Sequence, residues 1–331
     1  MLTAFLTGSA HASDLGSIES PLALARSLFP GAERCEPQVR SINSSRAKVI
    51  STLLPKSVPY HELGERVVYS VRGQSTPLGL LHVRHETGEW GLIEIAWQLN
   101  LDLTVRDFTL LRCRETERNT IESPEFRALL QGKDLKALSQ LLDDNGALDT
   151  EAISLPANAH RFARTLIASA LKSLAANQVG WALTTLKLRM SEAASLGSSN
   201  GASTTFHSAV QSEAELTALE QSGFGLIGPA LRNSLLLAHR HDESEQLLRS
   251  VVYLRVEDQH GSTPVLFTVV DGKISATKPL LALPSIGLQE QIESLRGADV
   301  AGLSESKSPF ARAALIAITV AVTDKERDEE H

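Results

Sequence analysis

The chain has 331 residues, 42% of them hydrophobic and 21% charged, with a net charge of −7. These are the proportions of a folded chain with room for one large domain or two ordinary ones, and they exclude wholesale disorder. The negative balance argues against nonspecific nucleic-acid binding, which needs basic surface to displace counterions from phosphates. Aromatics at 5% leave few platforms on which bases or sugars could stack.

Residues 1–13 hold a short apolar stretch (Leu2, Ala4, Phe5, Leu6) and an Ala10-His11-Ala12 pattern like a signal-peptidase site, with no Lys or Arg ahead of it. They read as a signal-peptide remnant, which places the protein in the periplasm or outside the cell; the alternative is a cytoplasmic start. Residues 20–29 form a helix with Leu22, Leu24, Ala25 and Leu28 towards one face, stopped by Pro30-Gly31. A second helix, 44–54, ends at Pro55. Residues 67–71 are β-branched and aromatic, 73–77 turn, and 78–83 return, so the three make a hairpin. Residues 90–99 alternate, which puts one apolar face inward, and 101–113 continue the sheet. Helices resume at 123–130, with Ser123 as N-cap and Pro124 at the first helical position, and at 135–142. Residues 161–176 are strongly amphipathic, with Phe162, Leu166, Ala170 and Leu174 spaced by four. No stretch reaches the roughly 20 apolar residues of a membrane-spanning helix.

Residues 195–205 are rich in Ser, Gly, Ala and Asn, and a linker is drawn at 191–206. It separates a domain at 20–190 from a shorter one at 207–323, and 324–331 form a charged, solvated tail. The two halves echo each other in order. Val67-Val68-Tyr69 returns as Val251-Val252-Tyr253, and Ser75-Thr76-Pro77 as Ser262-Thr263-Pro264. Gly132-Lys133-Asp134-Leu135 returns as Gly297-Ala298-Asp299-Val300, and Phe162-Ala163-Arg164 as Phe310-Ala311-Arg312. The tighter spacing of the second set implies a second half short of a strand or two.

Residues 22–171 resemble the FMN-binding domain of the Rnf/Nqr small subunits and the NosR-type regulators. Leu28-Phe29-Pro30-Gly31-Ala32 is similar to the family's opening element, and Pro77-Leu78-Gly79 to the turn of its first hairpin. Arg114-Glu115 stands at its RE element, and Pro124-Glu125-Phe126 to Gln131-Gly132-Lys133 at its next segment. Where the family carries D-A-x-S-G-A-T, this chain reads Glu151-Ala152-Ile153-Ser154-Leu155-Pro156-Ala157. The resemblance puts Ala157 at the threonine that esterifies the FMN phosphate. That bond needs a side-chain oxygen nucleophile, and a methyl group supplies none. Leu155 and Pro156 replace the glycine and alanine before it, which removes backbone freedom and one N–H donor.

The resemblance implies an α+β fold of two tandem FMN-binding-like domains, each a mostly antiparallel sheet flanked by helices. It implies a flavin-type site at Ala157, Ser154, Leu155, Pro156 and Glu115. Trp90 and Trp97 have opposite parity in one strand, so at most one faces a given pocket: Trp90 reads as the ring to stack on a flavin and Trp97 as core. The function that follows is an accessory protein (assembly, binding or regulation) of a bacterial membrane-associated electron-transport system. It would meet protein partners in that complex, carry no covalent flavin, bind no nucleic acid and have no transmembrane helix. The alternatives are a redox carrier that holds FMN noncovalently and an α+β protein of unrelated function.

Other constellations have plainer readings. His61-Glu62-Leu63-Gly64-Glu65 lacks the second histidine of a zinc-protease helix and reads as a solvated turn. His239 and Glu243 stand four apart and read as part of an exposed charged helix, not a metal pair. His82 and His85 read as surface residues. Cys35 and Cys113 match no metal spacing; buried thiols and a disulfide are both open. No catalytic residue and no metal site is assigned.

Overall fold

The computed structural model describes residues 20–143, 145–149, 153–195, 203–207, 235–258, 261–281, 283 and 285–328. The fold is α+β with two five-stranded antiparallel sheets. The chain divides between Leu186 and Lys187 into two compact units.

The first unit opens with α1 (Pro21–Leu28), whose N-cap Ser20 accepts a hydrogen bond from the Ala23 N–H. Five strands follow as a meander in sequence order: β1 (Arg34–Ile42), β2 (Gly64–Arg72), β3 (Pro77–Thr87), β4 (Leu92–Leu99) and β5 (Val105–Arg112), with α2 (Ser44–Leu53) between β1 and β2. β1 has no counterpart among the expected elements. It carries Arg34, Glu36 and Arg40 and contains Pro37, which an edge strand tolerates because one of its sides needs no ladder donor. Beyond β5 come α3 (Arg118–Ile121), α4 (Pro124–Leu130), α5 (Leu135–Ser139) and a 3-10 turn (Ala157–Ala159). Ser123 caps α4 as expected. The long α6 (His160–Gly180) and α7 (Ala182–Ser195) follow, and the division between the units falls within α7.

The sheet of the first unit is covered on both faces. Ala25 and Phe29 pack with Val67, Tyr69, Val71, Leu81, Val83 and Ala96 on one face. Arg106 stacks 5.0 Å from the Phe29 ring centre. Gly79 sits beneath that ring at φ +153°, where a Cβ would meet the ring and the Leu99 carbonyl. On the other face Trp97, fully buried, donates from its indole N–H to Ser169 of α6. β4 is therefore buried on both sides, and the single inward face expected of it is corrected: Glu94 and Gln98 are as hidden as Ile93 and Ile95.

The second unit also holds a five-stranded meander: β6 (Ser203–His207), β7 (Leu235–His241), β8 (Leu247–Asp258), β9 (Gly261–Val270) and β10 (Lys273–Pro279) in sequence order. Then come α8 (Ile286–Glu293), α9 (Val300–Ser304) and α10 (Pro309–Asp328). α10 lays Phe310, Ala314, Ala317 and Ala321 on a core with Leu237, Val252, Leu254, Val265 and Phe267. This sheet has five strands too, so the expected loss of a strand or two is corrected. Of the stretch drawn as a linker, 191–195 close α7 and 203–206 lie in β6, while 196–202 fall outside the described residues. The tail drawn at 324–331 continues α10 as far as Asp328. The suspected signal remnant, 1–13, lies outside the described residues.

Two of the four echoes land on equivalent places. Gly132 and Gly297 both have left-handed backbone, φ +72° and +71°. Each N–H donates to a last-strand carbonyl, Val105 and Ile274 respectively, at 2.8 Å. Asp134 and Asp299 then cap the next short helix, and Ser123 and Ser285 cap the helix before. Phe162-Ala163 and Phe310-Ala311 are buried where each long helix begins. The strand echoes land differently: β2 is second in its sheet and β8 third.

Candidate functional site

The residues singled out at the resemblance converge on one corner of the first unit. Residues 88–91 make the tight turn between β3 and β4, closed by the Gly88 N–H on the Gly91 carbonyl at 2.8 Å. Glu115, buried just after β5, accepts the Trp90 backbone N–H at 2.9 Å. Gly88 leaves room for that carboxylate, since a Cβ there would collide with it and with Ile93. Two further contacts tie the turn and the 115–117 segment to the start of α6. Arg161 pairs with Glu89 at 3.1 Å, and Asn158 donates to Glu117 at 3.2 Å. The Thr116 hydroxyl first, and Asn158 after it, hold Glu117 below the usual carboxylate range.

Ser154, Leu155, Pro156 and Ala157 lead into the 3-10 turn at this corner. Ser154, Pro156 and Ala157 are exposed and Leu155 is half-buried. His160 donates from Nε2 to the Leu155 carbonyl at 3.0 Å and fixes the entry to α6. Glu151 and Ala152 lie outside the described residues. Trp90, 57% exposed, projects from the tip of the turn and lies outside the ladder of β4. Trp97 is the core residue expected, with Phe108 5.5 Å away.

Beside the corner lies a cleft of about 410 Å3, within the range of small-molecule sites. Ser57, Glu86, Arg161, Arg164, Thr165 and Lys172 contribute its polar wall. Lys172 is paired with Glu86 at 2.9 Å. Arg164 is exposed and makes no ion pair among the described residues.

Below the cleft is a charged network that the expectations missed. Arg84, 3% exposed in its side chain, pairs with both Glu62 and Glu86. Burial alone would lower the Arg84 pKa, but the two carboxylates outweigh it and raise it. Burial likewise pushes Glu62 up, and the charge and hydrogen bond of Arg84 pull it below the ordinary carboxylate range. His82 is buried, which corrects its reading as a surface residue. Its Nδ1 lies 2.8 Å from the Ser173 hydroxyl and 3.2 Å from the Asn177 amide. Burial first, and the charge of Arg84 after it, depress its pKa to about 3, so the ring is neutral. A histidine beside a serine is the start of a nucleophilic site, but both side chains are sealed under α6 and no substrate carbonyl reaches them. The sequence held a signal for this network. His82, Arg84 and Glu86 alternate on one face of β3, and Ser169, Ser173 and Asn177 repeat by four on α6.

Elsewhere His239 is buried in β7 with Nδ1 2.7 Å from the Ser250 hydroxyl, so the exposed charged helix expected there is corrected to a strand. Glu62 belongs to the ion network and not to a solvated turn. Thr277 donates to the Ile292 carbonyl from a buried position in β10. Cys35 and Cys113 are both free and half-buried; burial first, and Glu36 after it, push Cys35 up to about 11. No helix among the described residues is long and apolar enough to cross a membrane. A scan against protein-family models and a search of curated proteins return no match.

Proposed function

We propose that this chain is an accessory protein of a bacterial membrane-associated electron-transport system. It carries no covalent flavin and acts in assembly, binding or regulation through the corner of its first unit. One observation carries the reading: Ala157 lies exposed in the turn that opens α6, with a methyl group where the resemblance expects the esterified hydroxyl. Beside it Trp90 and Glu115 form a platform tied to the start of α6 through the Glu117–Asn158 hydrogen bond and the Glu89–Arg161 ion pair, and Trp90 is offered to a protein partner. An exposed Trp held on a fixed backbone is the kind of anchor on which interfaces concentrate their binding energy. The same reading takes the two units as copies of one ancestral domain, on the strength of the capped helices and left-handed glycines that recur after each sheet.

Co-expression with a flavin transferase, followed by intact-mass measurement, is the test. The native chain should gain no FMN mass. The triple variant Leu155→Gly, Pro156→Ala, Ala157→Thr should gain one equivalent on residue 157. Flavin esterified to the native protein anywhere within 154–158 sinks the proposal.

A second reading, a carrier that holds FMN noncovalently, is favoured by the cleft of about 410 Å3 with Arg161, Arg164 and Lys172 in its wall. Titration of FMN against the purified protein separates the two. Saturable quenching of flavin fluorescence, lost in Arg164→Ala, supports the carrier; its absence leaves the accessory role.

A further inference from the structure

The second unit holds two arginines that no carboxylate among the described residues neutralises. Arg240 on β7 and Arg249 on β8 are register partners, so their guanidinium groups share one face of the sheet. That face is the one opposite α10, because the neighbouring residues Leu237, Val252 and Leu254 point into the α10 core and side chains alternate along a strand. Arg240 is 3% exposed. Its Nη1 donates to the Thr204 hydroxyl at 3.0 Å, while its Nε and Nη2 are buried without a hydrogen-bond acceptor. The Nε of Arg249 is in the same condition. Neither guanidinium makes an ion pair among the described residues. Asp242, the nearest carboxylate along the chain, is committed to the backbone N–H groups of Ser244 and Gln246 in the β7–β8 turn.

Buried charges in proteins are paired, and like charges placed opposite each other across strands destabilise a sheet. Two forked guanidinium groups with three hidden donor nitrogens are complementary to a tetrahedral oxyanion, which accepts several such bonds at once. We propose that Arg240 and Arg249, with the Thr204 hydroxyl beside them, form a binding site for a phosphate-class anion. Arg249 is half-buried where Arg240 is sealed, so an anion reaches the pair from the Arg249 side. The burial of Arg240 and the neighbouring charge of Arg249 pull the Arg240 pKa down, the direction an unneutralised pair produces. The site lies in the second unit and is independent of any flavin chemistry in the first.

Calorimetric titration of the full-length protein at constant ionic strength tests it, with inorganic phosphate in one arm and glycerol phosphate in the other. Saturable binding of one equivalent is expected. Preference for the first arm identifies the free ion, and preference for the second a phosphate carried on a larger molecule. Arg249→Gln should weaken binding about tenfold or more. Arg240→Met should abolish it and, in phosphate-free buffer, raise the melting temperature of the second unit, because it removes an uncompensated charge. No saturable heat in either arm, an equal response to chloride, or binding unchanged in Arg240→Met overturns the site. So does a melting temperature that falls in Arg240→Met.

Discussion

His82 shows how burial turns a titratable side chain into a liability at low pH. Its folded-state pKa, about 3, lies below the roughly 6.5 of an exposed histidine. Folding therefore excludes a proton that the unfolded chain binds. The first unit keeps its full stability above pH ~6.5 and loses about 1.4 kcal/mol per pH unit as pH falls from there towards 3. Glu62, whose pKa is lowered, acts in the same direction at lower pH. Denaturant unfolding followed by tryptophan emission reads this unit alone, because all three tryptophans, Trp90, Trp97 and Trp181, lie in it. His82→Asn should flatten the profile between pH 6.5 and 4; an unchanged slope assigns the acid sensitivity elsewhere. Arg84→Met leaves the Glu62 and Glu86 carboxylates without their buried partner and should cost about 3–5 kcal/mol. Arg161→Ala breaks only an exposed pair with Glu89 and should cost less than about 1 kcal/mol. Chemical denaturation of the two variants side by side tests that ordering.

At the scale of elements, glycines and caps decide where the helices after each sheet begin. Gly132 and Gly297 occupy left-handed backbone, which costs a side-chain-bearing residue about 1–2 kcal/mol. Gly132→Ala should destabilise the first unit by that amount, and Gly297→Ala the second by a similar one. Asp134→Ala and Asp299→Ala each remove an N-cap worth about 1 kcal/mol. Matched losses in the two units support a common plan; a loss in one alone argues against it. The elements also divide by legibility. The β2–β3 hairpin, α1, α4 and α6 followed from period, caps and punctuation. β1 escaped because Pro37 and its charges imitate a loop until a neighbouring strand uses its one open edge. β7 escaped because His239, Arg240 and His241 look solvated until a second layer covers them.

For the whole molecule, two units with separate cores should melt in two transitions. Trp97→Ala should lower only the first-unit transition and Phe267→Ala only the other, each by about 3–5 kcal/mol. Differential scanning calorimetry of the full-length variants decides it, and a single transition moved by both changes contradicts it. Composition, hydrophobic period and turn chemistry by themselves determined an α+β chain, most of the helices of its first half and the hairpin at the start of its first sheet. These are local consequences of backbone geometry and side-chain alternation. Ala157 was singled out by the family resemblance alone. Only the tertiary structure decided that Trp90, Glu115 and Asn158 share a corner, and that His82 and Arg84 are buried beneath α6. It alone placed Arg240 opposite Arg249. Those facts depend on which strands become neighbours, in what register, and what covers them; burial and electrostatic pairing exist only once distant segments have closed the layers.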